Sequence, residues 1–145
     1  MRKKLIAVIG GHKAEEETSK IAFAVGKIIA KNNCILICGG KGGVMEAAAK
    51  GAKQNKGTTI GILPGTEKEE ANDFIDIAIP TALSSARNAV IARACDLAIA
   101  INGSYGTLSE IALCLAMNKK VLGIRTHDVA GIIKLNGVDE ITKYL

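Results

Sequence analysis

A chain of 145 residues is long enough to bury one sizeable core; with 48 % hydrophobic but only 3 % aromatic residues, that core must be built from Ile, Leu, Val and Ala. Every apolar run is broken by glycine or charge within about ten residues, which argues against a membrane span. The formal net charge of +5 comes from dispersed lysines with few aromatics to stack bases, so it disfavours a nucleic-acid partner and suits anionic small ligands.

The basic start, Met1-Arg2-Lys3-Lys4, precedes Leu5-Ile6-Ala7-Val8-Ile9, which is too short for a signal-peptide core and ends in Gly10-Gly11. Residues 4–10 read instead as a buried first strand, and a cytoplasmic location is expected. Residues 14–32 carry Ile21, Val25, Ile28 and Ile29 at helical spacing, and Asn32-Asn33 ends that helix. A strand at 35–38, a helix at 44–55 and a strand at 58–63 follow. Pro64-Gly65 breaks the pattern, and Thr66 to Asp73 reads as a loop beside the site or a short helix. A fourth strand is predicted over 74–79, with some alternation, then a helix at 83–94. Strand 96–101, helix 107–118 and strand 120–125 complete the regular part. The tail from Val129 to Leu145 holds a weak helix and a short edge element.

Alternating strands and helices with short connections predict a single α/β domain over 1–145, a Rossmann-like doubly wound parallel sheet with helices on both faces. Ligands of such sheets bind outside the carboxyl ends of the strands, near the switch in strand order. The four cysteines, Cys34, Cys38, Cys95 and Cys114, have no C-x-x-C spacing and read as free buried thiols. With only His12 and His127 to accompany them, no metal site is expected.

Ile101-Asn102-Gly103-Ser104-Tyr105-Gly106-Thr107-Leu108-Ser109-Glu110 joins a strand to a helix through a glycine turn. Unpaired N–H groups and the helix dipole suit such a turn to a phosphate, with the Glu110 carboxylate close by. Gly39-Gly40-Lys41-Gly42-Gly43 repeats the device: laying Gly39 on Gly103 puts Gly42 on Gly106 and Glu46 on Glu110. The expected ligand-binding residues are therefore Gly10, Gly11, Gly39, Gly40, Lys41, Gly42, Gly43, Glu46, Gly103, Ser104, Gly106 and Thr107, with His12 beside them. Thr107-Leu108-Ser109-Glu110 also fits a capping box, a structural role for Glu110 that the sequence leaves open beside a site role. The dinucleotide fingerprint fails, because Met45 stands where a third glycine is needed after Gly40 and Gly42. No Gly-Lys-Ser/Thr exists for a triphosphate loop, and no Ser-His-Asp or Cys-His set can be assigned.

Gly103-Ser104-Tyr105-Gly106-Thr107-Leu108-Ser109-Glu110 resembles the Pro-Gly-Gly-x-Gly-Thr-x-x-Glu hallmark of the Lonely Guy family, phosphoribohydrolases that release a cytokinin base from its riboside 5′-monophosphate. Gly39-Gly40-Lys41-Gly42-Gly43-Val44-Met45 looks like their second motif, and Arg87 matches their catalytic arginine. Ile9-Gly10-Gly11 and Gly43-Val44-Met45-Glu46-Ala47-Ala48 are closer to the molybdenum-cofactor-carrier-like branch. The resemblance implies Arg87 and Glu110 as catalytic residues and Asn88, which replaces a lysine, as a binding residue. It implies either hydrolysis of a nucleoside 5′-monophosphate to base and ribose 5-phosphate, or a non-catalytic carrier or sensor of a phosphorylated pterin or nucleotide. It also implies a homodimer and no required cofactor, with molybdenum cofactor as bound cargo. The "lysine decarboxylase" label common among such sequences lacks support, since no Schiff-base lysine has a recognisable setting. Asn102-Gly103-Ser104 in place of Pro-Gly-Gly exchanges a glycine for a hydroxyl donor.

Overall fold

In the computed structural model, which describes residues Met1–Leu145, seven strands form one wholly parallel sheet. The strands are β1 Leu5–Gly10, β2 Ile35–Cys38, β3 Thr59–Leu63, β4 Ile77–Pro80, β5 Leu97–Ile101, β6 Lys120–Ile124 and β7 Ile133–Lys134. Their spatial order is β4-β3-β2-β1-β5-β6-β7. The chain thus builds outward from β1 to one edge, returns, and builds outward to the other. Strand order reverses between β1 and β5, which opens a crevice at their carboxyl ends.

Side chains alternate across β1, so Ile6 and Val8 enter one core and Ala7 and Ile9 the other. The first core is covered by α1 Glu16–Lys31 and α2 Val44–Gln54, the second by α3 Arg87–Ala94 and α4 Tyr105–Ala116. Helix α1 buries Ala22, Val25, Gly26 and Ile29, a stripe at helical spacing. Acidic Glu16 and Glu17 at its start and Lys31 at its end complement the helix dipole. Helices α1 and α2 meet backbone to backbone: a methyl on Gly26 would stand 1.9 Å from the Ala48 carbonyl oxygen, and one on Gly51 2.0 Å from that of Phe23. The four cysteines are buried and unbridged. No helix is long and apolar enough to cross a membrane.

Several boundaries differ from the sequence expectation, each for a local reason. The fourth strand occupies Ile77–Pro80 rather than 74–79. Residues before it are pinned by side chains instead of a ladder: Thr59 Oγ1 donates to the Phe74 carbonyl at 2.6 Å, and Asp76 accepts from Lys53 Nζ at 2.8 Å. The helix predicted at 83–94 opens with a 3₁₀ turn, Ser84–Ala86, before α3 proper. Helix α4 starts at Tyr105, two residues earlier than expected. The segment 66–73 contains one 3₁₀ turn, Lys68–Glu70, and Asn72 fastens it to the second glycine turn, with Nδ2 donating to the Lys41 carbonyl at 2.7 Å. The tail forms β7 and a 3₁₀ segment, Val138–Tyr144.

Candidate functional site

Strands β1, β2 and β5 end side by side, so the turns after them converge at one edge of the sheet. They enclose a pocket of about 360 Å³, within the range of small-molecule sites. It is lined by Gly10, Gly11, His12, Lys41, Gly42, Met45, Arg87, Asn88, Ser104, Gly106, Thr107 and Glu110, of which only Met45 is hydrophobic. The first two turns are locked together: Val44 N–H donates to the Gly11 carbonyl at 3.0 Å. Gly43 caps α2 at φ 64°, and a Cβ there would lie 2.3 Å from that same carbonyl oxygen. Only glycine satisfies both the dihedral and the approach.

The third turn is held from behind. Thr126 Oγ1 donates to the Asn102 carbonyl at 2.6 Å, and His127 Nε2 lies 2.9 Å from the Ser104 carbonyl oxygen. Ser104 occupies the N-cap of α4, and its backbone N–H donates to Thr107 Oγ1 at 3.3 Å. The capping role read for Glu110 is therefore corrected. Because α4 starts at Tyr105, Thr107 takes the reciprocal position and Glu110 lies beyond the first turn. Its side chain turns inward, only 8 % exposed, and takes no part in any hydrogen bond or ion pair within the protein. Burial raises its pKa to about 7, against the lowering pull of the nearby Arg87 charge. Near neutral pH such a carboxyl is both a usable acid and a usable base.

Arg87 opens α3 and crosses the ends of β2 and β3. Its Nε donates to the Ile62 carbonyl at 2.9 Å, Nη2 to that of Gly39 at 3.4 Å, and Nη1 to Asn88 Oδ1. A methyl on Gly39 would stand 2.6 Å from Nη2, so this glycine makes room for the guanidinium. Asn88, 4 % exposed, passes the restraint on: Nδ2 donates to Ser109 Oγ at 3.1 Å, and Ser109 Oγ donates to the Gly106 carbonyl at 2.8 Å. A chain of hydrogen bonds thus fixes the arginine relative to the third turn. Cys38 lies beneath, its Sγ accepting from Gly40 N–H at 3.4 Å. Burial pushes that thiol up to about 12, so it stays neutral and is no nucleophile.

Gly10, Gly11, Lys41, Gly42, Arg87, Asn88, Ser104, Gly106, Thr107 and Glu110 thus share one pocket, as does His12. Gly39, Gly40, Gly43 and Gly103 shape its walls without lining it. Glu46 does not join them: it is exposed and lines an adjoining cleft. Met45 and Ser109 were not expected at the site. Met45 sits where a dinucleotide site would have its third glycine, the one sequence signal that an unusual side chain fills that corner. Ser109 carried none, since its link to Asn88 joins two helices.

Over 125 residues, or 86 % of the chain and 82 % of its relative, the sequence is 46 % identical to an uncharacterized protein of Archaeoglobus fulgidus. It is 29 % identical over 119 residues to a probable cytokinin riboside 5′-monophosphate phosphoribohydrolase, LOGL9, of Oryza sativa subsp. japonica; the match covers 80 % of this chain but 51 % of that one. Among solved structures, the molybdenum cofactor binding protein from Rippkaea orientalis superposes with a TM-score of 0.94 at 34 % identity, over 99 % of this chain and 96 % of that one. The molybdenum cofactor carrier protein of Chlamydomonas reinhardtii gives a TM-score of 0.91 at 35 % identity, with the same coverage of 99 % and 96 %. The SLOG cluster4 family model matches residues 3–142, and the chain belongs to that family.

Proposed function

We propose that this chain binds a phosphorylated, heterocycle-bearing small molecule between the three glycine turns. Its phosphate sits on the Ser104–Thr107 turn, where first-turn N–H groups of α4 and the dipole favour an anion, with Lys41 opposite. Its sugar or ring faces Glu110 and Arg87. The observation that carries this reading is the Glu110 carboxyl: on a largely buried side chain, unbonded by the protein, and opening on the pocket among donors it does not touch. Its oxygens keep their solvent contact through the pocket, so a ligand N–H or O–H can reach them and replace that water. The similarity to a molybdenum cofactor binding protein and a carrier favours the phosphorylated pterin of that cofactor as cargo.

A melting series with phosphorylated nucleotides and pterins tests the reading. Phosphorylated members raise the melting temperature and their dephosphorylated counterparts do not. No shift with any of them overturns it.

Hydrolysis is a second reading, favoured by the placement of Glu110 near Arg87 with its pKa at about 7. N-glycosidic cleavage passes through an oxocarbenium-like state at the ribose, which the ionised carboxylate would stabilise while a water attacks. Arg87 would hold the phosphate or the departing base. Release of free base from a 5′-monophosphate, abolished by Glu110→Gln, supports this reading; ligand bound without turnover supports a carrier.

A homodimer is also proposed. Leu83 and Val90, both exposed, mark the face of α3 and its entry turn as the contact surface. Light scattering should give twice the chain mass, and Val90→Asp should give the monomer.

A further inference from the structure

Beside the pocket lies a second, more open cleft of about 690 Å³. His12 lines both, and the His12-Lys13 backbone packs against Gly42 and Gly43 of the second glycine turn. The cleft has a different chemistry from the pocket. Lys13 lines it, Glu46 and Asp73 are exposed carboxylates with no ion pair, and Phe74 supplies an aromatic ring in a chain with two Phe and two Tyr. The ring is half-buried, and the Lys50 ammonium lies 5.9 Å from its centroid. Lys50 is exposed and carries its ammonium on a rotatable four-carbon stem. A flat heterocycle can stack on such a ring, and free carboxylates accept from ribose hydroxyls.

We propose that pocket and cleft form one bilobed site, and that its full ligand is a dinucleotide-type molecule whose pyrophosphate crosses His12 and Lys13 and whose second nucleoside occupies the cleft. This rests on the phosphorylated-ligand reading of the pocket and extends it. The donors are distributed accordingly: Lys41 and the α4 N-terminus serve the inner phosphate, Lys13 the outer one. A mononucleotide fills the first lobe alone. Glu46, which the pocket leaves without a role, gains one as a ribose partner.

Titration calorimetry on the intact chain tests this with three sets of probes: the 5′-monophosphates of adenosine, guanosine and cytidine, the matching nucleoside diphosphates, and the symmetric dinucleoside 5′,5′-pyrophosphates. The diphosphates separate the second phosphate from the second nucleoside. The dinucleotides should bind about tenfold tighter than the diphosphates, the gain expected of one stacked base. Phe74→Leu keeps an apolar side chain without a ring, and Glu46→Gln lies on an exposed helix face; each should narrow that ratio. Dinucleotides no tighter than diphosphates, with monophosphates still bound, overturn the bilobed site and leave the pocket reading intact. A tenfold gain that survives both substitutions also overturns it, because the second nucleoside then lies elsewhere. No binding by any of these probes overturns the bilobed site, and the pocket reading falls with it only if the phosphorylated pterins of the melting series give no shift either.

Discussion

The two glycine turns, Gly39–Gly43 and Gly103–Gly106, match in register down to a glutamate at the same offset, yet the two glutamates end in different places. Glu46 is exposed and Glu110 is buried in the pocket wall. Helix α2 begins directly after its turn at Val44, which makes Glu46 its third residue. Helix α4 begins inside its turn at Tyr105, which makes Glu110 its sixth. Three positions at 3.6 residues per turn rotate a side chain to about 60° short of a full circle and carry it about 4.5 Å further along the axis. The turns also spend their polar groups differently. In the first, the Gly40 N–H goes to Cys38 and the Gly39 carbonyl to Arg87. In the second, Ser104 and the helix start face the cavity. One turn is mostly scaffold for an arginine, with Lys41 and Gly42 left facing the pocket; the other remains open to a ligand.

This contrast can be broken most severely at Gly43. Gly43→Ala puts a methyl against the Gly11 carbonyl at a positive φ, and should cost on the order of 3 kcal/mol in urea unfolding. Gly106→Ala, by contrast, meets only Ser104 Oγ at 3.8 Å and should leave stability within about 0.5 kcal/mol. Equal losses at the two positions would show that the turns are not divided into scaffold and opening.

Glu110 gives the next largest effect. A carboxyl raised to about 7 holds its proton more tightly folded than unfolded, so its contribution is fully present below the ordinary carboxylate range. That stability is lost as pH rises through about 7. Glu110→Gln removes the burden, and above that pH the variant should be more stable than the parent by on the order of 3 kcal/mol, with little difference at pH 4. Urea midpoints across pH measure it, and an identical pH profile in both proteins contradicts the burial of an ionisable group.

Ser109→Ala cuts the link from Asn88 to the third turn at a cost of about 1 kcal/mol. It should weaken binding of a 5′-monophosphate several-fold although no lining residue is itself substituted, read by the same calorimetric titration. Glu46→Gln is the smallest perturbation: stability should stay within about 0.5 kcal/mol, because its side chain is exposed and unpaired.

How much of this the sequence carried follows from what kind of interaction decided each part. Runs such as Leu5–Ile9 and Leu97–Ile101 are buried on both faces and read directly as parallel strands. The glycine turns and Arg87 were legible through motif order. The start of α4 was misplaced because Thr107 with Glu110 satisfies one capping pattern and Ser104 with Thr107 another, and the folded chain forms the second. The fourth strand slipped because Asp76 and Thr59 trade side-chain hydrogen bonds that no periodicity encodes. Similarly, the three carbonyl and amide partners of Arg87 come from the turn after β2, from β3 and from α3, and only the folded chain brings them together.

The central claim is that the open turn and the buried carboxyl belong to one ligand. A crystal structure of the chain soaked with a phosphorylated pterin or a 5′-monophosphate tests it most directly. The account predicts the phosphate on the Ser104–Thr107 turn and a ligand N–H or O–H within hydrogen-bonding distance of Glu110. A ligand seated away from that turn, or one that leaves Glu110 unpartnered, would contradict it.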